Sequence, residues 1–292
     1  MEKKILKYTI EQINNCGSNI SMNLDIRRLE DHIAVMDNVH FPHRHDFYNL
    51  LYITQGSGTH DIDFKRFEVV PNTLFFMNDT QIHEWNLSDD IQGFTLFFKK
   101  EFYNVAEPMF SLPNLPFFHN SQNEAQMVFF EENEAMVINH FFEDMLNEFN
   151  KRLDNHEAII KTLLKIILIR SLRVYQPNFS SSGSSLILSK IRQFESLIET
   201  KHSKLKSVRE YASIMNMTPN YLNAICSNTL GKTAGEMIRE RIILEAKRLL
   251  IHTPLSICEM GYNLGYEDCS YFIRVFKKAV GQTPEQFRLK LT

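Results

Sequence analysis

The chain has 292 residues, 32 Lys and Arg against 35 Asp and Glu for a formal charge of −3, 43% apolar residues and 12% aromatics. That length suits two domains, each able to bury its own core. No apolar run reaches the ~18 residues of a membrane span, and no signal peptide precedes the first charges, so a cytoplasmic protein without a membrane partner is expected. Four cysteines (Cys16, Cys226, Cys258, Cys269) show no C-x-x-C spacing, and three fall in predicted helices, so neither disulfides nor zinc are expected.

Charge is unevenly shared. From Ser184 onward there are 16 Lys and Arg against 10 Asp and Glu; before it there are 16 against 25. A basic C-terminal part that meets phosphates and an acidic N-terminal part that does not would produce this asymmetry.

Residues 1 to about 20 read as an arm or an opening strand. From Leu24 to Phe98 short alternating runs recur, at Asn49 to Thr54, Gly58 to Phe64, Thr73 to Met77 and Gly93 to Phe98, with breaks at Gly56-Ser57-Gly58, Pro71-Asn72 and Asn78-Asp79. Short strands at this spacing indicate a small β-barrel or sandwich. Its histidines fall in two groups, His43-Arg44-His45 and His83. The spacing resembles the cupin pattern, in which H-x-H and a later His converge inside a barrel. Where a metal-binding cupin has a Glu, this chain has Phe47, Tyr48 and Asn49. Three readings stay open: imidazoles that hydrogen-bond a ligand, structural histidines, and a Zn²⁺ or Fe²⁺ site. Tyr52 and Trp85 pair an apolar body with a polar handle and join His43, His45 and His83 as candidate ligand-facing residues. No metal, cofactor or catalytic residue is required.

Pro108, Pro113 and Pro116 argue against a long helix over 101–120. Gln126 to Phe130 reads as a further strand. A helical period then places Val137, Phe141, Met145 and Phe149 on one face, and after Asp154-Asn155 a second helix, His156 to Tyr175, has an apolar arc wide enough to form a two-fold dimer. Domain one is taken as 1–177, a linker as 178–185 (N-F-S-S-S-G-S-S), and domain two as 186–292, opening on a helix from Leu186 to Lys201.

Domain two contains one pattern written twice. Ser207-Val208-Arg209-Glu210, Ala212, Thr218-Pro219 and Gly231-Lys232-Thr233 answer to Ser256-Ile257-Cys258-Glu259, Gly261, Glu267-Asp268 and Gly281-Gln282-Thr283. Each copy opens on a capping box, places a small residue where two helices would cross, and ends on a glycine that can stop the longer helix, the layout of a helix-turn-helix. Between them Thr233 to Ile251 forms a strut of roughly 28 Å, close to the ~34 Å between successive major grooves on one face of B-DNA.

These motifs resemble the AraC/XylS family of bacterial transcription regulators. The resemblance is carried by Ala246-Lys247-Arg248-Leu249-Leu250, Ser256-Ile257, Gly265-Tyr266, Ser270-Tyr271-Phe272-Ile273-Arg274-Val275-Phe276-Lys277-Lys278 and Gly281-Gln282-Thr283-Pro284. It implies an α+β fold, with a cupin-like barrel and two helices followed by an all-α domain of two helix-turn-helix units on a long helix. It also implies that the helices after Thr218 and Glu267 enter major grooves, with Asn220, Asn223 and Ala224 exposed on the first and Cys269, Ser270 and Arg274 on the second. Lys232, Lys277 and Lys278 would neutralise phosphates, while Leu222, Ile225, Phe272 and Phe276 would be core. The expected function is a non-enzymatic, sequence-specific DNA-binding regulator, an activator that meets RNA polymerase, dimerises and senses a small-molecule effector. The alternatives are a regulator whose barrel only dimerises or binds a protein, and, more remotely, a metal-dependent cupin enzyme fused to a DNA-binding tail.

Overall fold

A computed structural model describes residues 6–14, 23–35, 42–107, 110–112, 115–118, 126–175 and 185–291. These fall into two compact units, one ending at Pro177 and the other running from Asn178. The segment read as a linker lies outside the described residues except for Ser185, as does Cys16.

In the first unit, strands β1 (Leu6–Tyr8), β3 (His43–His45), β8 (Ile82–Leu87), β5 (Gly58–Ile62) and β6 (Lys65–Val69) form one sheet in that spatial order. Strands β10 (Met127–Phe129), β7 (Thr73–Met77), β4 (Tyr48–Gln55), β9 (Gln92–Phe98) and β2 (Leu24–Arg28) form the other. Two short helices, α1 (Ile10–Asn14) and α2 (Leu29–Val35), interrupt the opening strands and were not legible in the polar N-terminal sequence. The described residues of the proline-bearing stretch contain no long helix and include a 3-10 turn at Pro116–Phe118.

Side-chain alternation divides the second sheet between two cores. Leu50, Tyr52, Leu74, Phe76, Phe94, Leu96 and Phe98 face outward onto helices α3 (Glu132–Lys151) and α4 (His156–Val174). Leu51, Ile53, Phe75 and Met77 face inward, where they meet Ile62 and Trp85 of the first sheet. This overturns the expectation for Tyr52. Its hydroxyl donates to the Ala135 carbonyl at 3.0 Å and its ring stacks on Phe142, so it anchors α3 instead of facing the barrel interior.

The break between α3 and α4 is made by left-handed residues, Arg152 at φ 50° and Asn155 at φ 65°. Much of the wide arc of α4 is spent inside the chain, with Ile160, Leu164, Ile167 and Leu168 fully buried against the barrel helix layer; Ile159 is exposed.

The second unit is all helical: α5 (Ser185–Lys201), α6 (Val208–Ile214), α7 (Pro219–Leu230), α8 (Ala234–His252), α9 (Ile257–Asn263), α10 (Cys269–Val280) and α11 (Pro284–Leu291). Capping boxes start α6 at Ser207, α8 at Thr233 and α9 at Ser256; Thr218 caps α7 with Pro219 at its first position, and Asp268 caps α10. Gly231 and Gly281 end α7 and α10 at φ 70° and 82°, a conformation that side chains with a Cβ resist. The 19-residue α8 serves both units of the repeat. Met237, Ile238 and Ile242 belong to a core with α5, α6 and α7, whereas Ile243, Ala246 and Leu250 join Met260, Leu264, Phe272, Phe276 and Phe287. Buried Arg241 clips α5 to this strut through Glu199 (2.8 Å) and reaches Glu245 (2.9 Å).

One expectation fails here. Cys258 on α9 and Cys269 at the start of α10 form a disulfide, with Cα atoms 5.0 Å apart and a sequence separation of 11. Spacing rules for local motifs do not register it, because the contact is created by the crossing of two helices. That crossing is tight: a Cβ on Gly261 would lie 3.2 Å from the Phe272 ring. Gly261→Leu should therefore lower the stability of the C-terminal unit by about 1–3 kcal/mol through overpacking, read as a lower urea midpoint at unchanged slope.

Candidate functional site

Two features distinguish this chain from a generic two-unit fold, a pair of capped helices with polar outer faces and a polar interior in the barrel. On α7, Leu222, Ile225 and Cys226 are buried while Asn220 and Ala224 are exposed. On α10, Phe272 and Phe276 are buried while Ser270, Arg274, Lys277 and Lys278 are exposed. Helical period explains both sets: the core face recurs every three or four residues and leaves the opposite stripe to solvent.

Not every expected contact stays available. The Asn223 side-chain oxygen accepts from the Ala234 N–H at 3.1 Å, so this residue holds the start of α8 instead of presenting a free amide. Lys232 is paired with Glu240 at 2.7 Å. Cys269 is engaged in the disulfide. The structure adds a matched pair that sequence reasoning passed over, Tyr221 and Tyr271, each the third residue of its helix and both exposed. The Lys190 ammonium lies 4.9 Å from the Tyr221 ring centroid, and the Arg274 guanidinium 5.9 Å from that of Tyr271. Aligning the two copies at Thr218 and Asp268 would have revealed them.

In the barrel, strand period puts His43 and His45 on one face of β3, and register sets His83 opposite His43 and Ile62 opposite His83. His60, two residues before Ile62 on β5, therefore joins them. The result is a buried chain: His45 Nε2 lies 2.7 Å from His83 Nε2, and His83 Nδ1 lies 3.1 Å from His60 Nε2. Trp85 packs against it, 5.4 Å from the His83 ring. Of the expected ligand-facing residues, His43, His45, His83 and Trp85 come together, Tyr52 does not, and His60, His32 and Asn49 were missed. The signal for Asn49 was its alternation with Leu51 and Ile53.

His43, His45 and His83 are the side chains that could hold a metal, their ligand atoms lying within 4.8 Å of one another. Nitrogens bound to one tetrahedral zinc at about 2.0–2.1 Å stand roughly 3.3 Å apart, wider than the hydrogen-bonded His45–His83 pair. The described arrangement fits a hydrogen-bonded histidine cluster better than a metal centre. Around it several fully buried polar atoms lack a hydrogen-bond partner among the described residues: both amide atoms of Asn49, Nδ1 of His45 and of His60, and the hydroxyls of Thr73 and Thr95. On β2 Arg27 pairs with Asp25 at 2.6 Å, although burial still pushes the Asp25 carboxyl above its usual range.

Burial holds these imidazoles neutral. Desolvation pushes His60 down to about 3, aided by His43, and His32 to about 3, aided by Arg27; it also drives His45 and His83 well below the usual range. The unfolded chain then binds protons that the folded chain does not, so stability is fully present above pH ~6.5 and lost as pH falls below it. We expect a slope approaching about 1.4 kcal/mol per pH unit for each such histidine between pH 6 and 4. Urea unfolding followed by the fluorescence of Trp85, the sole tryptophan, measures it directly.

A helix-turn-helix domain model matches residues 211–290, and an AraC-like ligand binding domain model matches residues 27–105. The HTH-type transcriptional activator RhaR of Enterobacter sp. (strain 638) is 21% identical over 263 residues, spanning 88% of this chain and 91% of RhaR. The arabinose operon regulatory protein of Salmonella typhimurium is 27% identical over 132 residues, 45% of this chain and 46% of that protein. Among solved structures, ToxT from Vibrio cholerae with a bound unsaturated fatty acid covers 94% of this chain and 98% of its own, at 14% identity and a TM-score of 0.41. With both of its characteristic domains matched in order, the chain belongs to the AraC family, as a DNA-binding transcription regulator with a ligand-binding-like N-terminal domain.

Proposed function

We propose that the protein is a cytoplasmic, sequence-specific transcription activator that reads adjacent major grooves with α7 and α10, and whose barrel binds a small, uncharged, hydroxyl- or carbonyl-bearing effector. The observation that carries the DNA reading is the matched exposure on two identically capped helices, Asn220 and Ala224 on one, Ser270 and Arg274 on the other. Arg274 is the best candidate for a bidentate contact to guanine, and Lys277 and Lys278 for phosphates. Activation implies contact with RNA polymerase, and exposed Ile159 on α4 suits a two-fold dimer.

The sensor reading is supported by the amide of Asn49 and the Thr73 and Thr95 hydroxyls, buried and without a partner among the described residues in a unit whose inward core holds Leu51, Phe75 and Trp85. Buried donors and acceptors without partners are costly unless a ligand supplies them. An apolar inward core and the pairing of Arg27 with Asp25 favour a neutral occupant over an acid. A barrel used only for dimerisation or protein contact has no need of such atoms.

Binding to duplexes from the DNA upstream of the gene, titrated with salt, tests the first part. Arg274→Ala should cost about 1–3 kcal/mol and relax preference at one base pair, while Lys277→Ala should weaken all sequences alike and flatten the salt slope. Equal losses on upstream and random DNA for both variants would contradict these roles. A metabolite screen by thermal shift tests the second part: a stabilising compound should lose its effect in Asn49→Leu, and retention of the full shift would remove the barrel interior as its site.

A further inference from the structure

The Cys258–Cys269 pair occupies a position that neither the fold nor the proposed DNA contacts explain. Cys269 is the first residue of α10, followed directly by exposed Ser270, and Cys258 lies on the first turn of α9. Their bond joins the helix that packs to the helix that protrudes, across the turn Gly265 to Asp268. The fold does not depend on it. The α9–α10 contact has its own core in Met260, Leu264, Phe272 and Phe276, its own capping box at Ser256, and an N-cap at Asp268. Both cysteines are half-buried, not sealed in the core. Cys226 differs in every respect: it is fully buried among Leu222, Ile225 and Ile238. Burial also pushes its thiol up to about 12.

We propose that Cys258 and Cys269 form a reversible thiol–disulfide modification site in the second reading head, and that closing it strengthens DNA binding by pinning the first turn of α10. The proposal rests on the reading of α10 as a DNA-contacting helix. With a peroxide as oxidant, one sulfur attacks the O–O bond as a thiolate and becomes a sulfenic acid while hydroxide leaves. The second thiolate then attacks that sulfur, forming the S–S bond and expelling the hydroxyl oxygen as water. Overall two thiols and one peroxide give one disulfide and two waters, and a dithiol reverses the step by exchange. A pinned turn has less freedom to lose on binding, so the closed form binds more tightly. By reciprocity the bound DNA protects the bond from reduction. In a reducing cytoplasm the open form is the resting state, and oxidation raises occupancy of the operator.

The test uses the full chain with Cys16→Ser, treated with hydrogen peroxide or with dithiothreitol. Alkylation and peptide mapping should find Cys258 joined to Cys269 after peroxide and both free after dithiothreitol. Fluorescence anisotropy on a labelled duplex from the DNA upstream of the gene should show affinity falling roughly tenfold on reduction. Adding Cys258→Ser and Cys269→Ser should leave one affinity, the weaker, under both conditions. The proposal is overturned if peroxide produces no joined peptide, if affinity is unchanged or rises on reduction, or if the response survives in the double serine variant. Equal binding to upstream and random duplexes in both redox states would instead refute the DNA reading, and the coupling with it.

Discussion

Close approach of two helix backbones inside each reading head is the constraint on which the C-terminal unit depends. Ala212 is fully buried in the first head, and Gly261 leaves room for the Phe272 ring in the second. Larger side chains would hold the helices apart, since packed cores accommodate added volume poorly. The angle at which α7 and α10 leave the body follows from that crossing, and their beginnings and ends follow from caps at Thr218 and Asp268 and from left-handed Gly231 and Gly281. The strut α8 passes from one small core to the other between Ile242 and Ile243. Arg241 ties it to α5, and Arg288 donates to the Leu250 carbonyl in its last turn and to the Leu255 carbonyl beyond its far end. Each head is thereby rigid where it packs and polar where it is exposed, which suits a surface that must fit a groove without rearranging.

The barrel follows a different rule. Its outward sheet face is filled with aromatics under α3 and α4, as a stable core requires, while its inner face combines apolar residues with polar atoms that find no partner among the described residues. Burying such an atom unpaired costs on the order of 1–3 kcal/mol, so several together are a poor solution for stability alone. They are a good solution for recognition, where a bound molecule supplies the missing partners. The chain of His45, His83 and His60 belongs to the same interior and is kept neutral by burial, so it can donate or accept according to tautomer. Polar recognition inside an apolar shell is how a binding site separates molecules that differ by one hydroxyl.

The two units thus depend on opposite uses of buried space. In the heads, space is withheld, so that two helices lock. In the barrel, buried polar groups are left without partners among the described residues, which is what the proposed sensor role uses. Among the described residues the disulfide falls outside both patterns, joining α9 to α10, whose contact also has its own core.

The sequence by itself determined the helices of the C-terminal unit, because capping boxes, the proline of α7, terminal glycines and a helical period all act within a few residues of chain. It also determined that a strand-rich region precedes them in which His43 and His45 share one face, by strand period alone. What only the tertiary structure decided were contacts across long separations. The registers of β3, β5 and β8 brought His60 and His83 to that pair, and the second sheet turned Tyr52 to α3 while sending Asn49 inward. Helix crossing joined Cys258 to Cys269, and a chain reversal used Asn223 to start α8. The reason is physical: local signals fix where an element begins and which of its faces is apolar, but which element lies opposite that face depends on how the whole chain closes.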